Sequence, residues 1–484
     1  MKLSRLLAPL NLPCPPEDPE ITGLTCDSRR VEPGMLFAAL PGARRDGQDF
    51  LPQALARGAA ALLIHGEADA PAPTVAVPEP RKTLALLARE FYRRPDQALV
   101  TIAVTGTKGK TTVAHMLRAI LTAAGHKTGM MGTLGAFSGE RLLEETGNTT
   151  PEPVALHRLL RDMADSGCTH AVLEVSSQAM KLHRVEGIRF DAAVFLNLSP
   201  DHIGPGEHAD LTEYRACKAA LFRQCALAAG NADDPAWPAV AREIPAGVPA
   251  VTFGFGPQAR TRGVKLEPDS ARPLASRLWV AGCREPWPVP LPGRFNAENA
   301  LAAIALAQAL GVEDAHIRAG LAAASVPGRC QLVPMGDGVN ALIDYAHNGQ
   351  SVRALLRALR PHVGGRIIAV LGAGGDRPPM RRRDMALAAA QGADYAVFTE
   401  DNPRSERAED ICAQMAAALD GAIPHAIVPD RREAIRFALA MARPGDLVAL
   451  LGKGHEAYIE AGGLRRPFSE RAVLEEWRQE HISS

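Results

Sequence analysis

Residues 105–112 read Thr-Gly-Thr-Lys-Gly-Lys-Thr-Thr and stand between an apolar run (99–104) and an amphipathic stretch (113–121). A glycine-rich loop that leaves a strand and opens a helix is a phosphate cradle. Its glycines let backbone N–H groups close around phosphate oxygens, and the helix N-terminus adds the positive end of its dipole. In that setting Lys110 reaches the β- and γ-phosphates and Thr111 offers a hydroxyl to Mg²⁺. The candidate nucleotide contacts are Gly106, Thr107, Lys108, Gly109, Lys110, Thr111 and Thr112. Strict spacing for such a loop needs a glycine at position 104, where the chain has Val104, so this is a compressed form. A bare glycine turn explains the glycines but not Lys-Thr-Thr at a helix start. Taken alone, the loop leaves a transport ATPase or a kinase open.

The surrounding pattern predicts the architecture. Before the loop, 59–64 and 74–77 read as strands and 82–92 as a helix, and Arg94-Pro95 punctuates the chain. After it, 170–175 and 192–196 read as buried strands, 212–225 as a helix, 251–289 as β-rich, and 296–310 as a long helix; an exit turn follows at 326–329. A third block alternates strand 366–371, helix 383–391, strand 395–399, helix 409–419 and strand 447–451. Short apolar strands separated by helices indicate parallel sheets covered on both faces. The expected fold class is α/β with three domains: a small N-terminal α/β domain (1–97), a central P-loop doubly wound parallel sheet (98–327), and a C-terminal Rossmann-like α/β domain (328–484).

Composition excludes several classes. The 484 residues carry 54 Lys and Arg against 54 Asp and Glu, which argues against a general nucleic-acid surface. Eight scattered cysteines with no C-x-x-C pair indicate neither a zinc site nor a disulfide framework, and suit a reducing cytosol. Pro9 and Pro13 interrupt the short leucine-rich start, so a signal peptide is not expected, and no run approaches the ~18 apolar residues of a membrane span. The expected setting is cytoplasmic, with no nucleic-acid partner.

Further motifs occur in a fixed order: Asn148-Thr-Thr-Pro151, Glu174-Val-Ser-Ser177, Asn197-Leu-Ser-Pro-Asp-His202, Tyr214-Arg-Ala-Cys-Lys218, Asn231-Ala-Asp-Asp234 and Gly293-Arg-Phe-Asn-Ala-Glu-Asn299. Asp344-Tyr-Ala-His347, Gly374-Gly-Asp-Arg377, Asp401-Asn-Pro-Arg404 and Gly452-Lys-Gly-His-Glu456 complete the set. Over nearly the whole chain this resembles the Mur ligase family, and within it the ligases that extend UDP-N-acetylmuramoyl-L-alanyl-D-glutamate by an amino acid. Folylpolyglutamate synthetases share the loop and the lysine, but would need a pteridine site in place of an N-terminal uridine domain.

The resemblance implies an ATP-dependent amide ligase acting through an acyl phosphate. Moving a phosphoryl group onto a carboxylate brings two anions together, so cations must screen them. Glu174 at a strand end and His202 in the next strand–helix loop offer hard and borderline ligands to Mg²⁺, with Thr111, and the resemblance implies two such ions. Lys218 lies among Cys217, Ala219, Leu221 and Phe222. A lysine snorkelling over the core would look the same; the resemblance implies instead that CO₂ converts it to a metal-facing carbamate, which needs a neutral amine. Lys110, Glu174, His202 and Lys218 are thus the catalytic candidates. By resemblance Asn299 and Arg329 hold the adenine and phosphate ends of ATP, and Asp344 its ribose. Helix capping by Asn299 and a strand-end turn at Asp344 are the plainer readings. A nucleotide gripped by two domains would couple binding to closure and keep water from the acyl phosphate.

Asp401, Asn402, Pro403 and Arg404 follow a strand at its carboxyl edge, where parallel sheets bind ligands. That motif resembles enzymes adding meso-diaminopimelate rather than L-lysine. The former carries a second carboxylate, which an arginine fork reads. Arg382, Gly452 and Glu456 fall on the other amino-acid positions, with Glu456 facing the distal ammonium. The run 377–385 departs from the family form, so the role of Arg382 is open to its neighbours and L-lysine stays an alternative. Ser28 (within 25–29) and the 42–47 turn look like uridine-diphosphate contacts, and Thr149, Thr150, Ser176 and Arg184 hold the muramoyl peptide by resemblance, although Arg184 beside Lys181 and His183 also reads as a solvated charge. The expected partners are UDP-MurNAc-L-Ala-D-Glu and a diamino acid, with the protein a monomer. A P-loop ATPase without ligation and a non-catalytic nucleotide-binding module are the readings from other classes.

Overall fold

The structure is a computed structural model and describes residues 1–42, 45–67, 70–201, 203–204 and 206–482. The chain forms two compact units, Met1–Arg262 with Leu301–Gly320, and Gly263–Ala300 with Leu321–Ser484.

The first unit holds two sheets. The N-terminal one is parallel, in the order Gly23–Thr25, Met35–Ala38, Ala61–Ile64, Thr74–Ala76. Side chains alternate across a strand, so Ala61 and Leu63 enter one core while Leu62 and Ile64 enter another. That double burial is why the segment reads as an unbroken apolar run.

The larger sheet runs Ala250–Gly254, Ala228–Asn231, Ala192–Phe195, Val100–Thr105, His170–Glu174, Thr128–Gly132 in parallel, and Gly135–Ser138 and Arg141–Glu144 add an antiparallel edge. Val100–Thr105 is therefore flanked by His170–Glu174 and Ala192–Phe195, which sets Gly106, Glu174 and Asn197 at neighbouring strand ends. Helix Lys110–Ala123 follows the first of these and buries Val113, Met116, Leu117, Ile120 and Leu121. The 3–4 spacing presses one stripe onto the sheet, each large aliphatic contributing ~1.5–3 kcal/mol.

In the second unit Gln331–Gly336 pairs antiparallel with Val339–Asp344, and Leu447–Leu451, Ile367–Leu371, Tyr395–Phe398 and His425–Ile427 continue in parallel. The last strand in sequence of this parallel set, Leu447–Leu451, inserts between Val339–Asp344 and Ile367–Leu371. The order reverses there, which makes the crevice above these carboxyl ends the natural ligand position.

The expected α/β architecture is present, with differences at element ends. The helix expected over 212–225 is α-helical only at Leu211–Ala220 and tightens to a 3₁₀ turn at Leu221–Gln224. The long helix starts at Arg294, so Asn299 lies in its second turn and is not an N-cap. Among the described residues no helix is long and apolar enough to cross a membrane.

Candidate active site

The loop 106–109 is built by close approach. A Cβ on Gly106 would lie 2.9 Å from Leu196 Cβ, and Gly109 has φ +90°, a left-handed conformation that admits the chain into helix Lys110–Ala123. No side chain caps that helix start among the described residues. Its first-turn N–H groups are the donors a phosphate would take. The neighbouring strand end holds the loop in place. Asn197 Oδ1 accepts from Lys108 N (2.9 Å), Asn197 Nδ2 donates to Lys108 O (3.0 Å), and Thr107 Oγ1 accepts from Ser199 N (3.0 Å) and from the Tyr214 hydroxyl (3.1 Å).

Lys110 Nζ donates to Gly106 O (2.9 Å) and Thr107 O (3.2 Å), and Lys218 Nζ donates to the same Gly106 O, also at 2.9 Å. Lys218 is 1 % exposed and sits 4.6 Å from the Tyr214 ring centroid. Its head group is buried together with its stem, which is not how a snorkelling lysine sits. Burial, with the Lys110 charge adding to it, holds the ammonium well below the ordinary lysine range.

Glu174 is 1 % exposed and accepts from Thr111 Oγ1 (2.9 Å), Thr133 N (3.1 Å) and Thr133 Oγ1 (3.3 Å). Gly132 makes room for it, since a Cβ there would lie 2.0 Å from Glu174 Oε1. The Glu174 carboxyl oxygens and the Thr111 hydroxyl, at the foot of the loop, are an oxygen-donor pair of the kind suited to Mg²⁺. Thr112 is buried in the same helix turn. His202 lies outside the described residues.

The residues expected to hold the acceptor peptide form one network next to Glu174. Thr150 Oγ1 donates to Glu174 O (2.9 Å) and to Ser176 Oγ (3.3 Å), while Thr149 Oγ1 meets Thr133 Oγ1 at 3.1 Å. Ser176 caps helix Ser177–Lys181 through Ala179 N. Arg184 is buried and donates to Thr150 O (2.9 Å) while pairing with Glu152 (2.6 Å), so it is not the solvated charge its neighbours suggested. Ser28 is buried with its hydroxyl on Gln53 (2.7 Å). In the 42–47 turn, Ala43 and Arg44 lie outside the described residues; Asp46 accepts from Gln48 N and pairs with His65 at 2.9 Å.

In the second unit, Asp344 ends its strand buried, with Oδ2 on Cys330 N (2.8 Å) and Oδ1 on Ala346 N (2.7 Å). Burial pushes its carboxyl up, and nearby Arg329 and these N–H groups oppose the shift. Asp344 therefore does hold a strand-end turn. Arg329 stacks 4.5 Å over the Tyr345 ring. Asn299 is buried and donates to Asn296 Oδ1 (3.2 Å).

The amino-acid candidates meet at the carboxyl edge of the same sheet. Gly452 has φ +116°, and a Cβ there would lie 2.4 Å from Asp401 Oδ2, so the loops after Tyr395–Phe398 and Leu447–Leu451 abut. Asn402 Nδ2 donates to Glu456 Oε2 (2.9 Å). Lys453 Nζ, wholly buried, donates to both Asn402 Oδ1 (2.9 Å) and Glu456 Oε2 (2.8 Å). Burial raises the Glu456 carboxyl, but Lys453 and Asn402 overcome it and hold it below the usual range. Asp401 goes the other way, raised by burial against the pull of Lys453 and Arg431.

Arg404 adopts φ +54° and donates from Nη1 to Gly375 O (2.7 Å). Pro403 O lies where a Cβ on Gly375 would come within 1.9 Å, so the bare backbone of Gly375 admits this turn. Arg382 is buried with its guanidinium on Glu406 (2.6 Å) and Gln414 (2.8 Å), and its neighbour Arg381 donates to His347 O (2.9 Å).

Sequence reasoning passed over Asn197, Thr133, Tyr214 and Lys453 as site residues. Three of them lie inside motifs already singled out (197–202, 214–218, 452–456). The four-residue spacing of Tyr214 and Lys218 puts both on one helix face. Thr133 had no signal of its own.

Three family descriptions match the chain in order: "Mur ligase family, catalytic domain" over residues 20–92, "Mur ligase middle domain" over 104–307, and "Mur ligase, glutamate ligase domain" over 328–454. A UDP-N-acetylmuramoyl-L-alanyl-D-glutamate–2,6-diaminopimelate ligase from Gloeobacter violaceus is 40% identical, with 98% of each chain covered. Its namesake from Streptomyces avermitilis is 40% identical, covering 98% of this chain and 96% of its own. A solved structure bearing the same enzyme name superposes with a TM-score of 0.70 at 31% identity, covering 96% of each chain.

Proposed function

The chain belongs to the Mur ligase family, and on that premise we propose that it joins meso-2,6-diaminopimelate to UDP-N-acetylmuramoyl-L-alanyl-D-glutamate at the expense of ATP. The observation that carries this is the convergence of Lys110, Lys218, Thr111 and Glu174 on one loop end. A triphosphate and an acceptor carboxylate meeting there find two lysines, a row of backbone N–H groups and an oxygen-donor pair.

In the proposed reaction an oxygen of the D-glutamyl carboxylate attacks the γ-phosphorus, the bond to the β–γ bridging oxygen breaks, and ADP leaves. The neutral amine of the incoming amino acid then attacks the acyl carbon, gives up a proton, and the C–O bond to phosphate breaks. Lys110 tracks the transferred group, and the 106–112 N–H groups hold the phosphates in line. Glu174 and Thr111 would hold Mg²⁺, which supplies positive charge where phosphate charge gathers. The buried Lys218, whose charged form is disfavoured there, fits carbamate formation with CO₂: the nitrogen of its unprotonated form bonds the carbon, a proton leaves, and an anion would stand beside Lys110 in place of an ammonium. His202 is proposed as a further ligand of the ion.

Asn299, Arg329 and Asp344 are assigned to ATP, and Ser28, Thr149, Thr150, Ser176 and Arg184 to the uridine-linked peptide. Asp401, Asn402, Pro403, Arg404, Gly452 and Glu456 are assigned to the amino acid, with Arg382 behind them. The fork of Arg404 suits the second carboxylate of diaminopimelate, and Glu456 its distal ammonium. We place the domain boundaries at 97/98 and 327/328, and the enzyme in the cytoplasm as a monomer.

The deciding experiment is phosphate release with the uridine-linked muramoyl dipeptide and meso-diaminopimelate, L-lysine or no amine. Release requiring both substrates, fastest with diaminopimelate, is the expected result. Release without acceptor would make the protein an ATPase, and equal use of L-lysine would remove the diaminopimelate assignment.

A further inference from the structure

Arg431 opens helix Arg431–Met441, is fully buried, and is itself assigned to no substrate above. Its guanidinium makes four bonds. Nη1 donates to Glu400 O (2.9 Å), Nη2 to Leu451 O (2.8 Å), and Nη2 and Nε to Glu470 Oε1 (2.7 and 3.0 Å). Glu470, 2 % exposed, is the first residue of the C-terminal helix Glu470–Ile482.

The two main-chain acceptors are informative. Glu400 immediately precedes Asp401, and Leu451 immediately precedes Gly452. Their strands are not neighbours, because Ile367–Leu371 lies between them in the sheet. One planar fork therefore ties together the two strand ends that launch the two halves of the amino-acid cradle. Above that tie, Gly452 abuts Asp401, and Asn402 is bonded to Glu456 and Lys453 across the same gap. A buried ion pair adds little net stability over well-packed apolar side chains of the same volume. A fixed four-bond geometry does, however, define a spacing.

We propose that Arg431, held by Glu470, is a positioning residue that sets the separation of the 401–404 and 452–456 loops and thereby the fit of the incoming amino acid. This deepens the amide-ligase reading and rests on it. Lysine at 431 keeps the charge, but one nitrogen cannot serve Glu400 O, Leu451 O and Glu470 together. Glutamine at 470 keeps the acceptor oxygen and removes the charge.

The test compares wild type, Arg431→Lys and Glu470→Gln by steady-state kinetics and by amide hydrogen exchange. Arg431→Lys is expected to raise KM for meso-diaminopimelate at least tenfold. KM for ATP and for the muramoyl dipeptide should stay within twofold, and kcat within threefold. Exchange should speed up at 401–404 and 452–456 but not at 106–112. Glu470→Gln should move the same quantities in the same direction by less, and it carries the test if Arg431→Lys does not fold. Equal increases in all three KM values, or a lowered melting temperature with unchanged KM and unchanged loop exchange, would overturn the proposal. Wild type that couples no amine overturns the ligase reading instead, and the exchange comparison then still decides the role of Arg431.

Discussion

Lys110 and Lys218 donate to one carbonyl oxygen, that of Gly106, each from 2.9 Å. Burial above all, with the Lys110 charge adding to it, holds the Lys218 ammonium well below the ordinary lysine range. On the proposed reading, that environment favours the uncharged amine that carbamate formation at Lys218 requires.

Lys218→Ala should therefore lower kcat by roughly 10²–10³-fold, the scale of losing one preorganised electrostatic group. Small carboxylic acids should restore part of it. The pH dependence follows in sign. The folded-state pKa is depressed, so the native state binds fewer protons than the unfolded one, and the contribution of Lys218 to stability rises with pH from its folded pKa up to the ordinary lysine range. Activity should fall as pH drops through that lowered pKa, because the ammonium cannot form a carbamate. A pH–rate profile at fixed CO₂, with ¹³CO₂ labelling read by NMR, checks both. An unlabelled lysine in active enzyme would refute the assignment.

Glu174→Gln keeps the volume but places an amide where Thr111 and Thr133 now donate to a carboxylate. The expected outcome is a half-saturating Mg²⁺ concentration raised about tenfold or more, equivalent to at least ~1.4 kcal/mol, with the protein still folded. Titration of phosphate release against Mg²⁺ measures it. An unchanged Mg²⁺ curve would remove Glu174 from the metal site.

Asn197→Ala takes away two hydrogen bonds that clamp Lys108 at both its N–H and its C=O. At ~0.5–1.5 kcal/mol each, their loss should raise KM for ATP roughly tenfold, leaving KM for the amino acid unaltered. Initial rates with each substrate varied in turn separate the two effects.

Arg404→Ala should cost diaminopimelate but not L-lysine. Hydrogen bonds to a charged group contribute ~1.5–3 kcal/mol, so the preference should shrink by about 10- to 150-fold. Competition between the two amino acids, read by mass of the product, is the measurement. An unmoved ratio would place the specificity elsewhere.

Much of this arrangement was legible in the sequence because it is local. The strand–loop–helix around 105–112 and the strand ends at Glu174 and Asp401 follow from periodicity and spacing within a few residues. Partnerships across the sheet were not legible. Asn197 reaches Lys108 only because Ala192–Phe195 pairs with Val100–Thr105, and Arg431 reaches Leu451 only because Leu447–Leu451 inserts out of sequence order. The edge hairpin Gly135–Ser138 and Arg141–Glu144 and the helix Pro153–Asp165 were also missed. The outer strand of that hairpin is largely exposed, so its composition lacks the apolar run that marked the inner strands.

The bare backbone at Gly132 has a consequence for how the ion site could be lost. The hollow that receives the Glu174 carboxylate is made by a missing side chain on the adjoining strand, so adding one methyl group at 132 would evict an oxygen with every proposed ligand residue left in place. On the proposed reading, the capacity to hold magnesium depends on a position that itself offers no donor atom, and a survey of metal-binding side chains alone would overlook it.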